Sequence, residues 1–144
     1  MIELNQQQKK QLGDIGEKFN LRFIILHGSY AKGAPHKGSD LDIAVVGQRV
    51  ISSDDLLALY GGFGEIFGDN RERGLDIKSL HRTDPLFRYY VVRDGVLLYG
   101  DKTDFNEFRA YAERSFEDAK GLFELEAVLV KKQNELLLKS FAHA

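Results

Sequence analysis

Residues 21–46 read LRFIILHGSYAKGAPHKGSDLDIAVV, and this stretch decides the fold. It opens with a short apolar run over 21–26, which is typical of a buried strand. The pair Gly28-Ser29 follows directly. Glycine and proline in residues 30–39 leave room for one helical turn and then a loop. A second apolar run over 41–46 predicts a second buried strand, so two strands joined by a polar loop form the centre of a sheet.

Two carboxylates lie where the second predicted strand begins. Because side chains alternate along a strand, Asp40 and Asp42 project from one face, about 6.5–7 Å apart along the chain. Like charges held so close repel each other, and a divalent cation relieves that repulsion. Mg²⁺ prefers such oxygen ligands, and Asp76 offers a third acid near the start of the next predicted strand. The three acids together predict a metal cluster that can hold two ions.

Gly28 and Ser29 supply groups that can bind phosphate. Backbone N–H groups in a turn after a strand, together with a serine hydroxyl, can hold the terminal phosphates of a nucleotide. Glycine allows a phosphate to approach the backbone closely. Taken singly, a Gly-Ser pair is usually a plain turn, and an Asp-Leu-Asp sequence is often a solvated strand edge. Their combination with Asp76 in strand and turn context favours a functional site.

Helices alternate with short strands along the remaining sequence. Asn5 and Gln8 form a capping-box pattern, Ser53 is a candidate cap, and Asp84-Pro85 is a strong helix start. Gly95 is a candidate left-handed cap for the third helix. The predicted elements are helices over about 5–18, from 53, over 85–94 and from Asp104 to about 140 with a break at Gly121, and strands over 75–80 and 96–99. The expected fold class is therefore α/β or α+β, with one small mixed sheet.

Composition excludes several classes of protein. The chain has 144 residues, which suits one core with an appended helix, and we expect a domain over 1–102 and a helical extension over 103–144. A net charge of −2 predicts no direct nucleic-acid binding. The absence of cysteine excludes disulfides and thiolate zinc sites. No apolar run reaches membrane-spanning length and the N-terminus is polar, so we expect a cytoplasmic protein without a membrane segment.

The stretch over 28–46, GSYAKGAPHKGSDLDIAVV, resembles the signature of the DNA-polymerase-β-like nucleotidyltransferase superfamily. More narrowly it resembles the minimal nucleotidyltransferases, the MNT or MntA-type antitoxins that pair with HEPN-domain ribonuclease toxins. The resemblance covers about residues 21–100 and includes Asp76 in GLDIKSL. It implies a small mixed sheet with helices packed on it, two Mg²⁺ ions, and ATP as the nucleotide.

The resemblance also implies a role for each site residue. Asp40 and Asp42 would bind both metals. Asp76 would bind the catalytic metal and help to deprotonate the acceptor hydroxyl. Gly28 and Ser29 would contact the phosphates. Lys32 stands where an arginine is common in the family, which keeps the charge but loses the bidentate fork.

Three hypotheses remain for the function: two differ in the acceptor of the nucleotide, and the third involves no transfer. The first is a protein, by resemblance a tyrosine of a HEPN toxin, and it is favoured by apolar residues in the tail that exceed the needs of one core-facing stripe. That surplus also predicts homo- or hetero-oligomer contacts through the C-terminal helix. The second hypothesis is a small molecule of the aminoglycoside type. The third is an antitoxin that neutralises its partner by binding alone. The histidines at 27, 36, 81 and 143 show no metal-ligand spacing, and none is assigned a role.

Overall fold

The computed structural model describes residues 3–36, 38–70, 73–81 and 83–142. Helices and strands alternate through these ranges. In chain order they are α1 (Gln6–Lys18), β1 (Leu21–His27), β2 (Leu41–Gly47), α2 (Ser53–Phe67), β3 (Leu75–Ser79), α3 (Pro85–Asp94), β4 (Val96–Tyr99) and α4 (Lys102–Ala142). No helix within these ranges is both long enough and apolar enough to cross a bilayer.

The four strands form one mixed sheet in the order β3-β2-β1-β4. β1 pairs antiparallel with both β2 and β4, whereas β2 and β3 are parallel. A parallel pair needs a crossover, and α2 supplies it between β2 and β3. The predicted small mixed sheet with helices packed on it is confirmed.

Two apolar cores lie on opposite faces of this sheet, because successive strand residues point to opposite sides. Leu41, Ile43 and Val45 of β2 belong to the core beneath α1 and α2. Ala44 and Val46 belong to the other core, beneath α3 and α4. Each fully buried large apolar side chain contributes about 1.5–3 kcal/mol to this packing. The face that carries Ala44 is also the face of Asp42.

Local signals at two helix starts are confirmed. The N–H of Gln8 donates to Oδ1 of Asn5 at 2.8 Å, and the N–H of Asn5 donates to Oε1 of Gln8 at 3.0 Å. These reciprocal bonds are the predicted capping box. The N–H of Leu86 donates to Oδ1 of Asp84 at 2.8 Å, with proline at the first turn of α3.

The predicted cap of α2 and the predicted start of α4 were both placed wrongly. Ser52, not Ser53, caps α2, because its backbone is extended and its hydroxyl accepts from the N–H of Asp55 at 3.1 Å. At the start of α4, the carboxylate of Asp101 accepts from the N–H of Asp104 at 2.8 Å. Asp104 is therefore inside the helix, and its side chain is bound instead by Arg22 of β1 at 2.6 and 2.8 Å.

The predicted left-handed cap at Gly95 is also wrong. Its φ is −75°, so the chain passes into β4 in an extended conformation. Glycine is needed there for space, since a Cβ would lie 2.5 Å from Cγ2 of Ile25.

The tail forms one continuous helix rather than the two that a break at Gly121 would give. A glycine inside a helix costs about 1 kcal/mol, which a helix of 41 residues can carry. Phe105, Phe108 and Ala112 are buried against the sheet, and Phe116 stacks on Tyr89 of α3 at 4.4 Å. From 121 to 142 every residue is exposed, so this half leaves the domain surface. The predicted division at 102/103 stays a prediction.

Candidate active site

The register of the sheet brings one histidine and two carboxylates into a row. His27 at the end of β1 is paired with Asp42 of β2, and Asp42 is paired with Asp76 of β3. All three side chains lie on the α3 and α4 face of the sheet, in alternation with residues of the other core. The row stands where β1 ends and where β2 and β3 begin, so the register of β2 and β3 places Asp42 and Asp76 side by side.

Asp40 lies at the margin of this row. It precedes β2 by one residue and is exposed, whereas Asp42 and Asp76 are half-buried. Its carboxylate rests against Gly74, where a Cβ would lie only 2.7 Å from Oδ1 of Asp40. The N–H of Leu41 donates to the carbonyl of Gly74 at 2.9 Å and ties the start of β2 to that of β3. Glycine at 74 therefore makes room for the Asp40 carboxylate.

Repulsion within the cluster is evident at Asp42. Burial raises the pKa of the Asp42 carboxyl, and the neighbouring acids Asp76 and Asp40 raise it further. Lys78 opposes this effect, and its Nζ lies 3.8 Å from Oδ2 of Asp76. That lysine is half-exposed and neutralises the cluster only in part. The site therefore favours an added cation.

Gly28 closes this side of the cluster. Its φ is +75°, in the left-handed region that favours glycine, and a Cβ there would overlap with Oδ2 of Asp42. The carbonyl of Gly28 accepts from the N–H of Lys32 at 3.2 Å, and that of Ser29 from the N–H of Ala34 at 3.0 Å. These bonds form the tight turn after β1. Gly28 thus lies beside the Asp42 carboxylate, and Ser29 follows it in the turn, although both precede Asp40 by more than ten residues.

His27 is a component of the row that sequence spacing did not find. Burial lowers the pKa of its imidazole to about 4, so the ring is neutral at neutral pH. The ring packs edge-on against Phe87 of α3 at 5.8 Å. His81 lies elsewhere, with a ring nitrogen 3.2 Å from the carbonyl of Gly47 at the other end of β2. His143 lies outside the described residues. Only strand register could have identified His27, because its partners lie far away in sequence.

A cavity of about 390 Å³ opens beside Gly28, between the turn and α3. Its lining includes two cationic side chains, one anionic side chain and three aromatic rings, one of them an imidazole. Its lining residues are His27, Gly28, Lys32, Phe87, Tyr90, Val91, Arg93 and Asp94. A ligand pocket is typically about 300–1,000 Å³, so a nucleotide can be accommodated. A second cavity of about 430 Å³ lies between α1 and α2, on the opposite face from the acids.

Arg93 is another residue of this cavity that the sequence did not reveal. Its guanidinium pairs with the carboxylate of Asp94 at 2.8 Å and lies 4.7 Å from the centroid of the Tyr90 ring. Hydrogen bonding to Arg93, with Lys32 acting at longer range, lowers the pKa of Asp94. Arg93 follows Gly28 by more than sixty residues, so only the packing of α3 onto the sheet places it here.

The donors suit magnesium. Within the described ranges, no three acidic or histidine side chains already stand together as a finished metal site. Mg²⁺ typically keeps several waters and takes one or two carboxylates plus substrate phosphates, so a finished protein cage is not required. The raised pKa of Asp42 also reflects repulsion that a cation would relieve. The candidate residues that would hold the ion are Asp40, Asp42 and Asp76.

Comparison with known families agrees with this geometry. Residues 10–104 match the family model described as polymerase beta, nucleotidyltransferase. That range is well over half of the chain and includes all three acids, the Gly-Ser turn and α3. The chain belongs to this nucleotidyltransferase family. The predicted superfamily resemblance is therefore confirmed.

Individual relatives narrow the similarity. The protein adenylyltransferase MntA of Aphanizomenon flos-aquae (strain 2012/KM1/D3) is 34% identical over 101 residues. The match spans 65% of this chain and 65% of that relative, just under two thirds of its length.

Solved structures show the same fold. A chain of a toxin–antitoxin crystal structure with AMP-PNP superposes with a TM-score of 0.68 at 21% identity, covering 84% of this chain and 94% of that one. A structure of a tri-AMPylated Shewanella oneidensis HEPN toxin in complex with its MNT antitoxin gives 0.64 at 19% identity, with coverages of 88% and 96%. The spectinomycin adenyltransferase of Enterococcus faecialis gives 0.51 at 16% identity, with coverages of 72% and 59%. At these identities the likeness establishes the fold alone.

Proposed function

We propose that this protein transfers AMP from ATP to a hydroxyl group of a protein partner, and that it acts as an MntA-type antitoxin. The observation that carries the proposal is the pairing of Asp42 with Asp76 beside the left-handed turn at Gly28, in a chain of the nucleotidyltransferase family. The relative that is named a protein adenylyltransferase supports the protein acceptor. A cytoplasmic location stays a prediction.

Each residue of the site has a distinct task in the proposed reaction. The acceptor oxygen forms a bond to the α-phosphorus of ATP, the bond from that phosphorus to the bridging oxygen breaks, and pyrophosphate leaves. The Asp76 carboxylate accepts the proton of the hydroxyl. Asp40, Asp42 and Asp76 would hold two Mg²⁺ ions, which when bound supply positive charge to the reacting phosphate. The turn at Gly28 and Ser29 holds the phosphates close to these acids.

The cavity beside the turn fits the polyphosphate end of the nucleotide. Lys32 and Arg93 both line it, and together they outweigh the single charge of Asp94. Arg93 is held ready between Asp94 and the ring of Tyr90, so it need only exchange one anionic partner for another. We propose that these two cations bind the phosphates that depart as pyrophosphate.

The exposed half of α4 supports a protein as the acceptor. One apolar stripe contains Phe123, Val130, Leu137 and Phe141, spaced by seven or four residues. A second contains Leu122, Leu125, Leu129 and Leu136. The stripes lie about a third of a turn apart on a helical segment about 33 Å long. Such a surface requires a cover, and we propose that the toxin provides it.

The deciding experiment uses intact-mass spectrometry of a co-encoded HEPN-type toxin incubated with this protein, ATP and Mg²⁺. We expect one or more AMP units on a toxin tyrosine with the wild-type chain, and none with Asp42→Asn. Asp14→Asn, which changes an exposed acid on α1, away from both the acids and the exposed half of α4, is the matched control and should transfer normally. Inhibition of an unmodified toxin would favour neutralisation by binding alone. Modification of an aminoglycoside instead would favour the small-molecule enzyme.

A further inference from the structure

The strand that carries Asp76 is hydrogen-bonded on its outer edge by one hydroxyl group from outside the site. β3 is an edge strand, paired only with β2 in the described sheet. The carbonyl of Gly74 accepts from Leu41, and the N–H of Leu80 donates to Val45 at 3.0 Å, so even-numbered residues of β3 face β2. The N–H and carbonyl of Ile77 therefore point away from the sheet, where they lack a strand partner.

Tyr60 of α2 satisfies both of these groups. Its hydroxyl accepts from the N–H of Ile77 at 3.1 Å and donates to the carbonyl of Ile77 at 3.3 Å. The ring of Tyr60 is half-buried against the first core, and the side chain of Ile77 is 3% exposed in that same core. A single phenol thus replaces the missing neighbouring strand at one residue.

Ile77 lies in β3 between Asp76 and Lys78, whose charged side chains face the site. The N–H of Ile77 belongs to the same planar peptide as the carbonyl of Asp76, and the carbonyl of Ile77 to the same peptide as the N–H of Lys78. β2 holds these peptides from one side, and Tyr60 holds them from the other. The backbone beneath the Asp76–Lys78 pair is consequently restrained on both edges.

We propose that Tyr60 is a positioning residue for Asp76, acting through the backbone of Ile77 and not by contact with substrate. The role rests on the proposed AMP transfer. The ring alone would suffice to fill the core between α2 and β3, whereas the hydroxyl is needed only to fix the position of the strand. A displacement of about 1 Å at a reacting group can cost about a hundred-fold in rate, so even a fraction of that movement is measurable.

The test is Tyr60→Phe, which keeps the ring and removes the hydroxyl. Tyr111→Phe is the control, because Tyr111 is likewise a helix tyrosine but is exposed and lies on α4, away from the acids. The first readout is hydrogen exchange at the Ile77 amide in the protein without nucleotide or metal. The second is the separate measurement of kcat, and of KM for ATP, in AMP transfer to the toxin.

We expect the Ile77 amide of Tyr60→Phe to exchange about five-fold faster, the size of one lost hydrogen bond. We also expect kcat to fall about ten-fold while KM for ATP changes less than two-fold, since the phosphate turn is untouched. Unchanged Ile77 exchange, or unchanged kcat in an active wild type, would overturn the role of Tyr60. A wild-type chain that transfers no AMP at all would instead overturn the proposed function on which the role rests.

Discussion

Gly28 offers the sharpest test of the site, because its replacement by alanine introduces two separable effects. The first is backbone strain, since a residue with a Cβ at φ +75° costs about 1–2 kcal/mol. For a domain of this size that corresponds to a fall in Tm of about 2–8 °C. The second effect is overlap of the new Cβ with Oδ2 of Asp42. The carboxylate must move to relieve it.

Gly33 supplies a matched control for the strain alone. Its φ is +71°, nearly the same as at Gly28, but a Cβ there would have no atom within 4 Å. The free energy of unfolding of Gly33→Ala should therefore fall by about 1–2 kcal/mol, the same backbone cost as at Gly28, without any movement of the acids. Thermal unfolding of both variants measures this cost.

AMP transfer separates the two variants. A shift of about 1 Å in the Asp42 carboxylate predicts a loss of about a hundred-fold in rate for Gly28→Ala. Gly33→Ala should retain near wild-type transfer at temperatures well below its Tm. Equal losses in the two variants would refute the assignment of Asp42, since strain alone would then explain the defect. Near-normal transfer by Gly28→Ala would refute it as well.

Three further predictions concern the cavity, the histidine and the tail. Arg93→Gln should weaken binding of a non-hydrolysable ATP analogue by about ten-fold, the scale of one charge-assisted contact, and leave AMP binding unchanged. Calorimetry measures both affinities, with Arg114→Gln as the control. Equal losses of affinity for the two ligands would contradict a role of Arg93 in phosphate binding. Because the His27 pKa is lowered to about 4 on folding, the unfolded chain binds the extra proton between about pH 6.5 and 4, so the free energy of unfolding should fall as pH falls through that window. Denaturant titrations should show that the free energy of unfolding falls by about 1–3 kcal/mol across this window in the wild type and not in His27→Phe. The same pH dependence in the variant would contradict the assignment to His27. Phe108→Ala should lower the free energy of unfolding by about 3–5 kcal/mol, whereas Leu129→Ala should leave it nearly unchanged and weaken toxin binding. Unfolding and binding titrations measure the two effects. A large loss of stability in Leu129→Ala with unchanged toxin binding would show that the exposed half of α4 packs on its own domain.

Local sequence was sufficient for most secondary structure and for part of the site. The strand starting at Leu41 and the caps at Asn5 and Asp84 depend on residues within a few positions of one another. Alternation along a strand predicts that Asp40 and Asp42 share a face, but β2 begins at Leu41, so Asp40 lies just before the strand and rests against Gly74. Where two neighbouring residues could both cap a helix, the predicted cap was wrong by one residue. Ser52 and Ser53 are both serines, and only the backbone conformation of the first lets its hydroxyl reach the helix.

The continuation of α4 through Gly121 required more than local preference. A single glycine predicts a weak point, but helical residues on both sides maintain the hydrogen-bonding pattern at a cost of about 1 kcal/mol. Similarly, the last helix was predicted to begin at Asp104, yet α4 begins at Lys102 and the Asp104 carboxylate makes a bidentate contact with Arg22. A residue 82 positions away in sequence cannot be identified from spacing.

The sequence by itself therefore determined the family, and it offered the Gly-Ser pair and the three acids as candidate site residues. Tertiary structure alone decided how these pieces meet. The row of His27, Asp42 and Asp76 arises from the register between strands, and register depends on pairing between distant segments. The packing of α3 on the sheet brings Arg93 to the cavity, and the packing of α2 brings the Tyr60 hydroxyl to the outer edge of β3. Both are consequences of helices covering apolar sheet faces, which periodicity predicts in kind but not in position.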